Sequence, residues 1–162
     1  MSTSALVRFA KRETGVSFNE HPRDIQAQVY QHWNGTPEQL GKKLANMLVG
    51  KKIVNGFTKR RTIQTWSNDE WKNEINGPGD LAATVVALLK CDIDGEIEQG
   101  NVYLEPPSNE RGGVNYTYYI WSDYNKEIYI SIFGAGGDCE FVGTPSDLQS
   151  SWIYNMNTED VR

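Results

Sequence analysis

Tyr30-Gln31-His32-Trp33-Asn34-Gly35-Thr36-Pro37-Glu38-Gln39-Leu40 reads as the end of a strand, a tight turn and the start of a helix. Before it, Ile25, Ala27, Val29 and Trp33 alternate with Gln26, Gln28, Tyr30 and His32, the period-two pattern of an extended segment with one apolar face. Asn34-Gly35 is a turn dipeptide, because both residues tolerate positive φ. Thr36 suits an N-cap, Pro37 suits the first helical position, and Gln39 stands where a capping box needs an amide or carboxylate. Leu40, Leu44, Met47 and Leu48 then share one helical face, and Gly50 ends the helix.

Outward from this stretch, Ala5, Val7 and Phe9 alternate with Leu6, Arg8 and Ala10 in a first strand. Residues 51–78 carry weaker signals. Thr62 to Trp66 reads as a short strand, and Ser67-Asn68-Asp69-Glu70 as a capping box opening a helix that Asn76-Gly77-Pro78 would end. A second main helix is predicted from Leu81 to Lys90, with Asp80 as N-cap. Its apolar residues lie nearly all round, which predicts burial, with Cys91 following as a small core residue. After Asn101 the pattern becomes β. Val102-Tyr103-Leu104 is stopped by Pro106-Pro107, Tyr116 to Ser122 alternates, residues 123–126 form a turn, and Ile128, Ile130 and Ile132 alternate again. Cys139 to Val142 adds an edge strand, and Gly143-Thr144-Pro145-Ser146-Asp147-Leu148 repeats the Gly, Thr, Pro and Leu of the first helix start. The expectation is a single α+β domain over residues 1–162. It has a mostly antiparallel sheet of five or six strands, two main helices and a short C-terminal one.

The 162 residues suit one domain with a real core, and 38% hydrophobic content with five Trp, eight Tyr and five Phe points to a folded chain. Neither a signal-peptide pattern nor a long apolar run is present, and Cys91 and Cys139 are the two cysteines, so a reduced, cytoplasmic setting is expected. The net charge of −5 hides an asymmetry: residues 1–90 carry thirteen bases and eight acids, residues 91–162 three bases and thirteen acids. Lys42, Lys43, Lys51, Lys52, Lys59, Arg60 and Arg61 fall in a stretch without one acid between Glu38 and Asp69. Such a run is a solvated face or a patch for an anion.

The chemistry of sites gives little. His21, His32, Cys91 and Cys139 lack the spacing of zinc ligands, and no nucleophile motif accompanies either histidine. Asp92, Asp94, Glu96 and Glu98 alternate, and on a strand they would share a face able to hold a divalent cation or simply solvate an edge. Gly134 to Asp138 lacks the Lys-Ser/Thr of a phosphate loop and reads as a connection. Tyr116, Tyr118, Tyr119, Trp121, Tyr124 and Tyr129 cluster in one hairpin, so one aromatic face is core and the other is a candidate contact surface. The segment from Lys51 to Arg61 is the other candidate, because two arginines grip anions bidentately and Trp66 offers a stacking plane. The predicted contact residues are therefore Lys59, Arg60, Arg61, Trp66, Tyr30 and His32. No catalytic residue, metal or cofactor is assigned.

His32-Trp33-Asn34-Gly35-Thr36-Pro37-Glu38 after a strand, then Leu40-Gly41 and an amphipathic helix, resembles a set of small uncharacterised bacteriophage and prophage proteins. Their common form has an acid where Asn34 stands and an aromatic where Thr36 stands. The helix start at residues 79–83 and the Pro-Pro to Tyr-Thr-Tyr region at 106–118 are also similar, and the likeness extends over residues 5–135. It implies an accessory protein in the bacterial cytoplasm that acts by occlusion or sequestration. Its expected partner is a host protein or a small anionic signal molecule. The sequence pI near 5.1 weighs against nucleic acid. The competing expectation is a small hydrolase or transferase using His32 with carboxylates, metal-assisted through Asp92, Asp94 and Glu96.

Overall fold

The computed structural model describes residues 2–11, 20–54, 73–110, 112–122 and 127–151. Strand β1 (Ala5–Lys11) is buried on both faces and lies inside the sheet, with β2 (Asp24–Gln31) antiparallel on one side. A π-helical turn (Pro37–Gly41) leads into α1 (Lys42–Leu48). Short β3 (Lys52–Val54) pairs in parallel with β4 (Glu74–Asn76), which runs straight into α2 (Gly77–Lys90). Then come β5 (Val102–Glu105), β6 (Tyr116–Ser122), β7 (Ile128–Gly134), β8 (Cys139–Gly143) and α3 (Pro145–Gln149).

The six-stranded sheet has the order β5-β2-β1-β6-β7-β8. It is antiparallel except for β1 against β6, which run parallel in register from Ala5 opposite Tyr116 to Lys11 opposite Ser122. This is the α+β architecture expected: one small domain with a mostly antiparallel sheet and, among the described residues, three helices.

One sheet face carries the main core. Val7, Phe9, Val29, Tyr118, Ile130 and Ile132 meet Leu40, Leu44 and Leu48 of the first helix, Leu81, Val85 and Leu89 of α2, and Leu148 of α3. The i, i+4 spacing of each helical set places those side chains on the stripe that faces the sheet. Ile53 and Ile75, opposite each other in the small sheet, join the same cluster.

Several expectations are corrected. Asp80 is not the cap of α2: the helix starts at Gly77, four residues before the expected Leu81, and the Asp80 carboxylate accepts the Asn76 N–H at 2.8 Å. Residues 74–76 are strand and not the end of a helix, while the predicted elements at 62–72 lie outside the described residues. The outer side of α2 is open to solvent, with Leu88 exposed, and Cys91 is half-buried beside a bridge to Ile97. In β2 the alternation breaks at Gln26, a bulge where Phe9 faces Ala27 and Ala10 faces Ile25. The extra residue sends Ile25 to the opposite face, where it packs with Ala10.

Candidate functional site

The second sheet face holds a buried group of polar side chains at its centre. Arg8 is 1% exposed. Its Nε donates to Gln28 Oε1 at 2.8 Å, one terminal nitrogen donates to the Tyr119 hydroxyl at 3.0 Å, and the other donates to the Glu110 carbonyl. Gln28 passes the link to Glu105 at 3.0 Å. His21 lies over Phe133 at 3.8 Å between ring centroids, with Nδ1 3.1 Å from the Tyr119 hydroxyl. Trp121 stacks on Tyr129 and donates to Ser131 at 2.8 Å. Among the described residues no buried side-chain polar atom lacks a partner. A network so fully satisfied rigidifies the strands that carry it. Sequence reading missed it, because Arg8 and Gln28 looked like the outward members of alternating strands. The signal was available in Tyr119 and Trp121, aromatic where a solvent face would be polar.

The aromatic hairpin is therefore not an exposed surface: Tyr118, Tyr119 and Trp121 are all buried. Tyr118 donates to the Gly35 carbonyl at 2.8 Å, and its burial holds the phenol well above its ordinary pKa, so it stays a donor. Tyr124 lies outside the described residues.

Of the six predicted contact residues, Lys59, Arg60, Arg61 and Trp66 lie outside the described residues. Tyr30 and His32 are brought together on the β2 surface. The Tyr30 hydroxyl is 3.0 Å from His32 Nδ1, and His32 meets Trp33 edge-on at 5.2 Å. Tyr103 of β5 lies 6.2 Å from Tyr30, which extends this aromatic strip to the sheet edge.

The alternating acids do not form a strand. Asp92 Oδ1 accepts the N–H groups of Asp94 and Glu96, both at 2.9 Å, and Gly95 turns the chain at φ +80°. The carboxylate that would lead a metal site closes its own exposed turn, and among the described residues no three His, Cys, Asp or Glu side chains converge as ligands. The Gly134 to Asp138 stretch is a tight turn whose amides are engaged internally: Gly137 N–H bonds the Gly134 carbonyl, and Gly134 N–H the Asp138 carbonyl. Burial pushes the Cys139 thiol up, away from the thiolate a nucleophile needs. Glu140 is also raised, first by burial and then by the negative charges of Glu38 and Asp138.

A groove of about 550 Å³ opens between the end of α1, strand β3 and the start of α3. Leu48, Ile53, Val54, Ile128 and Pro145 supply its apolar walls, while Lys51, Lys52 and Glu127 supply charge. Gly50, at φ +76°, makes the turn that carries the chain from α1 along this groove. Comparison with known protein families, curated proteins and solved structures returns no match.

Proposed function

We propose that the protein is a non-enzymatic binder that sequesters a small anion with an apolar part in the groove beside Lys51 and Lys52. Such a role fits the phage-like resemblance, with a host factor or defence signal as the target. The observation that carries the reading is the groove itself. Its volume lies within the roughly 300–1,000 Å³ of small-molecule sites, and it combines apolar walls with lysines at the start of the basic run 51–61. Lys59, Arg60 and Arg61 belong to that basic run and Trp66 follows it in sequence, and they remain proposed contact residues because arginine grips anionic groups bidentately.

The probe is anilinonaphthalene sulfonate, which joins an apolar ring system to an anion. The natively folded chain should bind it saturably, one per chain. The double substitutions Lys51→Gln with Lys52→Gln, and Arg60→Ala with Arg61→Ala, should each weaken binding by about tenfold, equivalent to about 1.4 kcal/mol. Melting temperature should hold in both. Unchanged affinity in the folded lysine double variant would overturn the reading.

A further inference from the structure

We propose that one edge of the sheet, strand β5, takes up an extended segment of a partner polypeptide in which basic and apolar residues alternate. Among the described residues, strand β5 stands at the end of the sheet, paired on one side only, with β2. Its four residues include no proline, lysine or bulge. Leu104 is 74% exposed and Tyr103 48% exposed. Pro106 and Pro107 end the strand, which limits the pairing surface to Val102–Glu105 and fixes where a partner strand must stop.

The two sides of β5 ask for different chemistry. Alternation puts Leu104 on one side, and Tyr103 with Glu105 on the other. On the Tyr103 side lie the Tyr30 ring and the Glu105 carboxylate, which Gln28 holds at 3.0 Å. A lysine or arginine of the incoming strand meets aromatic faces and a fixed carboxylate there. Its next residue turns to the Leu104 side and finds apolar surface. The flanking sequence carries charge of the same sign as Glu105. Every ionisable side chain from Cys91 to Glu110, apart from cysteine and tyrosine, is an acid: Asp92, Asp94, Glu96, Glu98, Glu105 and Glu110. The nearby Lys90 ammonium donates to the Glu98 carbonyl at 2.9 Å. A second copy of this chain would bring the same acids edge to edge, and like charge disfavours it.

The test is fluorescence anisotropy of a labelled peptide alternating lysine and valine, titrated with the full chain. A lysine–proline peptide of equal charge, unable to pair, is the control. The lysine–valine peptide should bind saturably, with the control at least about tenfold weaker because main-chain pairing supplies much of the affinity. Leu104→Ser and Glu105→Gln, both at exposed positions, should each weaken binding by about fivefold, in line with about 1 kcal/mol per cross-strand pair. Four results would each overturn the proposal. They are no saturable binding, equal binding of the two peptides, unchanged affinity in folded Leu104→Ser, and a concentration-dependent dimer in sedimentation that Leu104→Ser abolishes.

Discussion

Gly35-Thr36-Pro37-Glu38-Gln39-Leu40 and Gly143-Thr144-Pro145-Ser146-Asp147-Leu148 start two helices with the same Gly, Thr, Pro and Leu, yet they start them differently. At the second, Thr144 accepts the Asp147 N–H at 3.1 Å and Asp147 accepts the Thr144 N–H at 2.9 Å, a complete capping box. At the first, the Thr36 carbonyl receives the N–H groups of Gln39, Leu40 and Gly41 in a widened π turn, and the Thr36 hydroxyl bonds only the Gln39 side chain at 3.2 Å. A short carboxylate reaches back over one turn, whereas the longer Gln39 amide meets the hydroxyl instead. The first start is held from outside. Gly35 N–H bonds the Thr3 carbonyl at 2.8 Å, and its own carbonyl accepts from buried Tyr118. One start is thus fixed by its own caps and the other by the sheet.

The largest effect should follow Gly35→Ala. A Cβ there would stand 2.8 Å from both the Ala5 Cβ and the Thr3 carbonyl oxygen, and backbone cannot retreat as a side chain can. The loss belongs at the upper end of the about 1–3 kcal/mol of overpacking, read by urea denaturation. Thr144→Ala removes a true cap and should cost about 1 kcal/mol, lowering the melting temperature by about 3 °C for a domain of this size. Thr36→Ala should cost less than about 0.5 kcal/mol, the range of an exposed substitution. Equal losses at Thr36 and Thr144 would show that the two starts are capped alike.

The smallest effect is electrostatic and joins the two regions, since Glu38 of the first start helps raise the Glu140 carboxyl on β8. A folded-state value above the unfolded one means that the native chain holds this proton more tightly. Glu140 therefore adds stability below the ordinary carboxylate range, and that contribution is lost as pH rises through its raised value. Glu140→Gln should flatten this part of the stability–pH curve and leave the neutral-pH protein slightly more stable, as thermal melts across the acid range would show.

Much of the sheet was legible because strands five to eight residues long show their alternation, and α1 was legible from Leu40, Leu44 and Leu48. The rest failed for local physical reasons. Strands β3 and β4 are three residues each, too short for a period to show. Gly77-Pro78-Gly79 reads as a terminator, yet Gly77 at φ +81° and Pro78 in the first turn start α2. The expected positive φ of Asn34-Gly35 holds only at Asn34, φ +61°, whereas glycine at 35 answers a close approach from Thr3 to Ala5 that no local pattern encodes. Among site residues, Tyr30 and His32 were found as neighbours on one strand, but Tyr103 and Leu104 became relevant only through the pairing of β5 with β2. The groove joins Leu48 to Ser146, which lie far apart in sequence, so only the folded arrangement reveals it.

The groove and the β5 edge are the two proposed contact surfaces. Amide hydrogen exchange on the full chain tests this most directly, run free, with saturating anilinonaphthalene sulfonate, and with the lysine–valine peptide. The predicted result is two separate footprints: slowed exchange at Leu48 to Val54 and Ser146 with the sulfonate, and at Tyr103 to Glu105 with the peptide. Exchange at Arg8, Gln28 and Tyr119 should stay unchanged throughout. Altered exchange at those three residues, or one shared footprint for both probes, would contradict it.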